Sequence, residues 1–339
     1  MDLTTGYLGL TLRSPIVASA SPLSTSLDGV RSLADAGVGA VVLYSLFEEQ
    51  VRAQEIEDLM VTETYEESFG EATDYFPKAP TLAHAGASPY LRHLESAAST
   101  VDVPVIASLN GSTPGGWTSI ATSMESAGAA ALELNIYAVP GDAGLSGADV
   151  ERRHLEILAG VKAAVSIPVA VKLSPYFSAT AAMAGALDAA GADGLVLFNR
   201  FLQPDVDTEG IRLVPGITLS SPIEARLPRT WLAILRHQVR CSLAGTTGVE
   251  TSADVVAYLL AGADVVMTAS ALLRHGPSHA QVLAVGLESW LERRGYSSLA
   301  EMRGLLAVPA GGDATSSQRA GYVGALHAAQ GTYGSLRVD

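Results

Sequence analysis

Asp35-Ala-Gly-Val-Gly-Ala-Val-Val-Leu43 returns in altered form as Ser126-Ala-Gly-Ala-Ala-Ala-Leu-Glu-Leu134, as Ala190-Gly-Ala-Asp-Gly-Leu-Val-Leu197 and as Ala261-Gly-Ala-Asp-Val-Val-Met267. In each copy an alanine-rich helix ends at a glycine that tolerates the left-handed cap conformation, and a short apolar strand follows. Strand entries of another kind lie between the copies. Ser14-Pro15-Ile16-Val17, Val103-Pro104-Val105-Ile106 and Ile167-Pro168-Val169-Ala170 put proline at the strand start, where its missing N–H does no harm. Interleaved, the two types give strands 1 to 6 and strand 8, and Arg236 to Ala244 supplies strand 7 without the proline. Continuous apolar runs suit a parallel sheet buried on both faces.

Helical patterns separate the strands over Leu27–Ala36, Glu48–Glu63, Trp117–Ala127, Asp149–Ala164, Ala179–Ala190, Pro228–Leu235, Ser252–Leu260 and Ser278–Arg294. Eight strand–helix units predict an α/β fold of the closed (β/α)8 TIM-barrel type, with a doubly wound open sheet as runner-up. Three segments depart from the repeat. Residues 2–12 read as an N-terminal hairpin able to plug the amino end of the barrel. Residues 64–100 exceed a plain connection and include Asp74-Tyr75-Phe76-Pro77. Residues 199–227, after strand 6, are long enough for an inserted hairpin over the barrel mouth. The expected division is a barrel over residues 1–308 and a partly ordered tail over 309–339, opening with Pro309-Ala310-Gly311-Gly312.

Apolar residues make up 48% of the 339 and charged ones 17%, ample material for one large core. A formal charge of −14 argues against a nucleic-acid partner, which needs a basic face to displace counterions. Cys241 is the single cysteine, so this chain alone offers neither a disulfide nor an iron–sulfur cluster. No apolar run is long enough to cross a bilayer, and Met1-Asp2-Leu3-Thr4-Thr5 lacks a basic segment followed by an apolar one. A cytoplasmic setting without a membrane partner is expected.

In such a barrel the chemistry sits where strands run into the loops that follow them. Those positions hold Ala20-Ser21, Tyr44-Ser45, Asn110, Asn135, Lys172, Asn199, Gly245-Thr246-Thr247-Gly248 and Thr268-Ala269-Ser270. Nearly all are neutral hydrogen-bonding groups, with one lysine and no histidine. A metal hydrolase needs clustered histidine and carboxylate ligands, so no metal is expected. The set suits a large polar ring system held by many hydrogen bonds. Loops 7 and 8 occupy the places of this fold's phosphate cradle, where small residues let the backbone approach and helix-start N–H groups face an anion. Tight turns are the plainer reading; two such loops in the right order favour phosphate.

Lys172, in Val171-Lys172-Leu173-Ser174-Pro175, ends an otherwise apolar strand. It must pair with a buried carboxylate or neutralise a ligand. Glu133, two residues before Asn135 and on the same face of the neighbouring strand, is the structural partner. The functional reading is a cation beside the N1–C2 edge of a flavin ring, which stabilises the reduced form. Both can hold at once.

Together, Ser14-Pro15 with Ala20-Ser21, Glu133-Leu134-Asn135, Val171-Lys172-Leu173-Ser174-Pro175-Tyr176-Phe177 and Gly245-Thr-Thr-Gly-Val-Glu-Thr251 resemble the FMN-dependent dihydroorotate dehydrogenase family. The likeness is strongest to its soluble, single-chain members. It runs from Leu3 to Arg303 and takes in Leu259-Leu-Ala-Gly-Ala263 through Ala271-Leu272-Leu273. The resemblance implies FMN as cofactor, with Ala20, Ser21 and Ser45 against the ring and Tyr44 and Asn110 in the cofactor-binding set. Asn135, Lys172 and Asn199 would meet polar groups of flavin or substrate. Ser220 and Ser221 would sit beside the flavin, and Gly245, Thr246, Thr247, Gly248, Thr268, Ala269 and Ser270 would hold its phosphate. Thr247 stands where the family commonly has glycine. The family also carries a lysine where this chain has Tyr44 and a cysteine or serine base where it has Ala138. An Asn-rich segment that grips orotate is here Glu71-Ala-Thr-Asp-Tyr-Phe-Pro77. An alanine accepts no proton.

Three readings of the chemistry follow. The first is an FMN-dependent oxidoreductase acting on a CH–CH or C=C bond of a small, pyrimidine-like substrate. Tyr137, beside the vacated base position, and Lys172 would be its catalytic residues, with Tyr44 a second proton candidate. Tyrosines at such places more often stack than act as acids. Asn135, Asn199 and Arg200 would hold the substrate; Arg226 also flanks the long loop and reads equally as a surface residue. The second reading keeps dihydroorotate as substrate, in pyrimidine biosynthesis, with a relocated base. The third is a flavin-binding electron-transfer or interaction protein without carbon chemistry, in which Phe47-Glu48-Glu49-Gln50-Val51 and the acidic run Glu63–Glu71 are contact surface. No second redox centre is encoded, so electrons would leave to a soluble acceptor or a separate electron-transfer partner. A homodimer is expected from the resemblance.

Overall fold

Gly37, Gly128, Gly191 and Gly262, the glycines of the four repeats, all take positive φ, from 87° to 115°. Each ends its helix in the conformation a Cβ would disfavour, and a strand begins three residues later. The computed structural model describes residues 1–52, 87–111, 117–200, 204–214 and 216–333. Strands β1 (Thr5–Tyr7) and β2 (Leu10–Leu12) pair as an antiparallel hairpin. Then come β3 (Ile16–Ala18), β4 (Ala40–Phe47), β5 (Val105–Gly111), β6 (Ala131–Ile136), β7 (Val169–Leu173) and β8 (Gly194–Leu197). A second hairpin, β9 (Asp205–Asp207) with β10 (Arg212–Val214), precedes β11 (Ser242–Gly245) and β12 (Val265–Thr268). Strands β3 to β8, β11 and β12 close into one parallel barrel.

Both expected hairpins are present. The first plugs the amino end: Tyr7, Leu8 and Leu12 are buried against Val17, Val42, Ile106, Val196 and Met267 inside the barrel. The larger core lies between strands and helices. Its helices include α1 (Leu27–Asp35), α2 (Ala87–Thr100), α3 (Trp117–Ser126), α4 (Gly147–Ala164), α5 (Thr180–Ala189), α6 (Arg226–Leu235) and α7 (Ser252–Ala261). Short α8 (Ser270–His275) starts directly after β12, and α9 (His279–Arg294) completes the ring. Among the described residues no helix is long and apolar enough to cross a membrane.

Two expectations need correction. Strand 7 begins at Ser242, not Arg236, because Arg236 caps α6 and reaches Asp264 Oδ1 at 3.0 Å. The Asp188 carboxylate accepts the N–H groups of Arg240 and Cys241 at 3.2 and 2.8 Å, which holds that stretch out of the sheet. The segment 64–100, read as an over-long connection, carries a helix, α2, whose Tyr90, Leu94 and Ala97 form a buried stripe at helical spacing. A helical turn over 48–52 opens the expected Glu48–Glu63, while the rest of that span, Glu63–Glu71, Glu71–Pro77 and Asp74–Pro77 lie outside the described residues. The tail carries a helix, α10 (Ala314–Tyr333), with Tyr322, Val323 and Leu326 exposed, and residues 334–339 lie outside the described residues.

Candidate functional site

Parallel register sets the centre of the site. Asn135 on β6 lies opposite Lys172 on β7, so Glu133 sits one rung deeper on the same face. Lys172 Nζ is 3.3 Å from Glu133 Oε1, with the two side chains 9% and 1% exposed. Glu133 Oε2 and the Tyr7 hydroxyl, which comes up from the plug, are buried without a protein hydrogen bond. Burial and the Glu133 charge push the Tyr7 hydroxyl well above the usual tyrosine range, so it stays protonated. A rung higher, Asn199 Nδ2 donates to Asn135 Oδ1 at 2.7 Å.

Two adjoining cavities open at this end of the barrel. The larger, about 660 Å³, is lined by Tyr44, Ser45, Asn110, Asn135 and Tyr137 among others. The smaller, about 240 Å³, is lined by Ser220, Thr246, Thr247, Gly248, Thr268, Ala269 and Ser270 among others. Ala20, Ser21, Lys172, Asn199 and Arg200 line both, so the two are halves of one elongated site. Gly245 and Ser221 fall outside both linings. A Cβ on Gly245 would strike Tyr258 on the helical side, and Ser221 caps a turn over Pro222–Ala225, its N–H donating to Glu224 Oε2 at 2.6 Å.

Ser220 ties three loops together around the smaller cavity. Its Oγ accepts the Gly248 N–H at 3.1 Å and meets Ser270 Oγ at 2.9 Å, while its carbonyl accepts Arg274 Nη2 at 2.8 Å. From behind, the Tyr258 hydroxyl reaches the carbonyls of Thr246 and Thr247 at 2.7 and 2.6 Å. Burial raises its pKa, so it remains a donor. The carbonyls are drawn backwards. No carboxylate stands among the described residues lining this cavity, Lys172 and Arg200 border it, and first-turn N–H groups of α8 face it. These residues fit a phosphate monoester, and the larger cavity has room for a ring system with a small substrate.

Thr247 is strained. Its φ is 81°, a region that β-branched residues avoid, and its Oγ1 donates to the Phe198 carbonyl at 3.3 Å. Thr247→Gly relieves ~1–3 kcal/mol of backbone strain. It gives up a long hydrogen bond and some chain entropy, about 1–1.5 kcal/mol together. A net gain of roughly 0.5–1 kcal/mol is expected in urea denaturation; a loss would mean that the hydroxyl outweighs the strain.

Tyr137 lines the larger cavity, and its N–H donates to the Gly111 carbonyl at 3.0 Å. Tyr44 is a less suitable proton carrier. Its ring is edge-on to Tyr90 with centroids 5.1 Å apart, and burial raises the pKa of its hydroxyl. Arg226 borders a neighbouring cleft with Tyr176 and Ile223, outside both cavities. Phe47, Ile217 and Thr218 line the larger cavity and escaped sequence reasoning. The last two sit on the inserted segment, where no motif marks them; Phe47 is the last residue of β4 and was open to inference from that. Among the described residues no group of three or more His, Cys, Asp or Glu could hold a metal.

The family model for dihydroorotate dehydrogenase matches residues 79–291. The catalytic subunit of dihydroorotate dehydrogenase B (NAD(+)) from Methanothermobacter thermautotrophicus is 27% identical over 89% of this chain and 98% of the relative. The protein of the same description from Methanocella arvoryzae is 28% identical over 87% and 94%, and that from Shouchella clausii 30% over 60% and 68%.

Proposed function

The chain belongs to the dihydroorotate dehydrogenase family, and from that premise we propose that the paired cavities hold FMN beside a small pyrimidine-like ring whose C–C bond is oxidised or reduced. It is a flavin-dependent oxidoreductase acting on CH–CH donors. One observation supports the placement above the others: Lys172, a buried cation, stands at the junction of a carboxylate-free cradle and a larger, amide-lined chamber. The cradle residues Gly248, Thr268, Ala269 and Ser270 take the phosphate, and Ala20, Ser21 and Ser45 border the ring. FMN, when bound, supplies the two-electron acceptor.

The chain's own groups do the rest. Lys172 keeps a positive charge at the ring edge, and Glu133 keeps that charge in place. Asn135 and Asn199, fixed to each other, orient the substrate amide. Tyr137 moves the proton that Ala138 cannot. Ile217 and Thr218, from the inserted segment, line both cavities at the mouth. The relatives' description as catalytic subunits supports a separate electron-transfer partner for this chain as well.

The purified protein is expected to be yellow and to release FMN on denaturation. Anaerobic stopped-flow mixing with dihydropyrimidines should bleach the flavin, and Tyr137→Phe should slow bleaching by about 10²-fold. A flavin no faster than free FMN with every such donor would remove the carbon chemistry; an unchanged Tyr137→Phe rate would remove only that residue's role.

A further inference from the structure

We infer that one water molecule sits on the barrel axis between the Tyr7 hydroxyl and Glu133 Oε2, and that through it Tyr7 is a positioning residue for Lys172. The water site stands on the protein's own geometry. The positioning role rests on reading Lys172 as the cation at the flavin edge.

The plug brings Tyr7 to this place. Alternation along β1 buries Thr5 and Tyr7 and leaves Gly6 exposed. The hairpin is fixed on both sides of Tyr7: Thr5 Oγ1 donates to the Asp264 carbonyl at 2.9 Å, and the Leu8 N–H donates to Ser242 Oγ at 3.0 Å. Layers inside such barrels are ordinarily filled by bulky branched side chains. Here Ala40, Ala131, Ala170 and Ala244 pack in one cluster with Tyr7, and these small residues leave the axis to its ring. Ala131 and Ala170 precede Glu133 and Lys172 by two residues on the same paired strands, so this cluster lies directly beneath the ion pair.

At that junction the Tyr7 hydroxyl and Glu133 Oε2 are both buried, and neither has a protein hydrogen bond, to the other or to any third group. An unmet buried donor or acceptor costs about 1–3 kcal/mol, and ordered water is the common remedy. Burial and the nearby Glu133 charge keep the hydroxyl protonated, so it donates while Oε2 accepts. One water answers both: its oxygen takes the Tyr7 hydrogen, and one of its own hydrogens goes to Oε2. Lys172 keeps two ammonium hydrogens beyond its bond to Glu133 and is the natural third partner. A cation here would face the Lys172 ammonium and an anion the Glu133 carboxylate, so a neutral molecule is favoured. Held by water on one side and by Lys172 on the other, the carboxylate cannot turn, and the ammonium it grips keeps its place.

A high-resolution crystal structure of the FMN-loaded protein tests the site. One water peak within hydrogen-bond distance of both atoms is expected; an empty gap, or an ion revealed by anomalous scattering after rubidium or bromide soaks, overturns it. FMN titration of a double-mutant cycle tests the role. Tyr7→Phe keeps the ring and removes the donor, and it should weaken FMN by about threefold or more in the parent. Added to Glu133→Leu with Lys172→Met, where nothing is left to position, it should change FMN affinity by less than about twofold. Equal losses in the two backgrounds, or none in the parent, overturn the positioning role. A parent that takes no FMN removes the flavin reading and this role with it, while the density still decides the water.

Discussion

Lys172→Ala should destabilise the fold by about 3–5 kcal/mol and abolish stable retention of FMN. Both effects start from Glu133, whose side chain is 1% exposed and whose Oε2 has no protein hydrogen bond. Removing the ammonium at 3.3 Å strips the carboxylate of its counter-charge where solvent does not reach it. Breaking one side of a buried pair costs far more than the pair itself contributes, since an unpaired charge stays behind. If stability were the whole role, removing both charges would repair everything. Glu133→Leu with Lys172→Met should therefore recover most of the lost stability, because well-packed apolar replacements of buried pairs are often neutral or better. It should not recover FMN affinity or the flavin potential, which need the cation itself. Urea denaturation, FMN titration and potentiometry on the single and double variants separate the two roles. A double variant that binds FMN like the parent would show Lys172 to be structural only.

This pair is legible in the sequence because strand periodicity is strict. Glu133 and Asn135 are two apart and must share a face, and Lys172 ends the next strand of the same kind. The barrel was readable for a similar reason, since each repeat glycine marks a helix end and each Xaa-Pro-Val-type entry a strand start. Readability failed where tertiary contacts overrule local pattern. Val239–Cys241 looks like a strand entry, yet the Asp188 carboxylate, more than fifty residues earlier in the chain, captures its N–H groups. Ala87–Thr100 has a clear helical stripe, but its place in a long polar segment hid it. In the site, the loops around Gly248 and Ser270 were evident from order and composition. Ile217 and Thr218 were not, because they face the cavity only through the course of an irregular loop. That Gly245 faces Tyr258 is set by the packing of α7 on the barrel, which no local pattern encodes.

Gly248→Ala is the second substitution with a large expected effect, and it separates crowding from backbone strain. Gly248 has a φ of 68°, and a Cβ there would lie 2.6 Å from the Ser221 carbonyl oxygen and 2.8 Å from the Ala225 nitrogen. Both are backbone atoms of the turn that precedes α6, so relief requires the two loops to move apart. The left-handed conformation costs an alanine about 1–2 kcal/mol, and forced repacking adds ~1–3 kcal/mol, for a loss of roughly 2–5 kcal/mol. The same movement stretches the bond from the Gly248 N–H to Ser220 Oγ, and with it the knot that joins Ser220 to Ser270 and Arg274. FMN affinity should fall by at least about tenfold, since phosphate donors act only while they converge. Gly295→Ala provides the comparison. Gly295 caps α9 in the left-handed conformation, with a φ of 75° and nothing within 4 Å of the added Cβ. It should lose only about 1–2 kcal/mol of conformational energy and bind FMN as the parent does. Equal FMN affinities for the two variants would place the phosphate somewhere other than this knot.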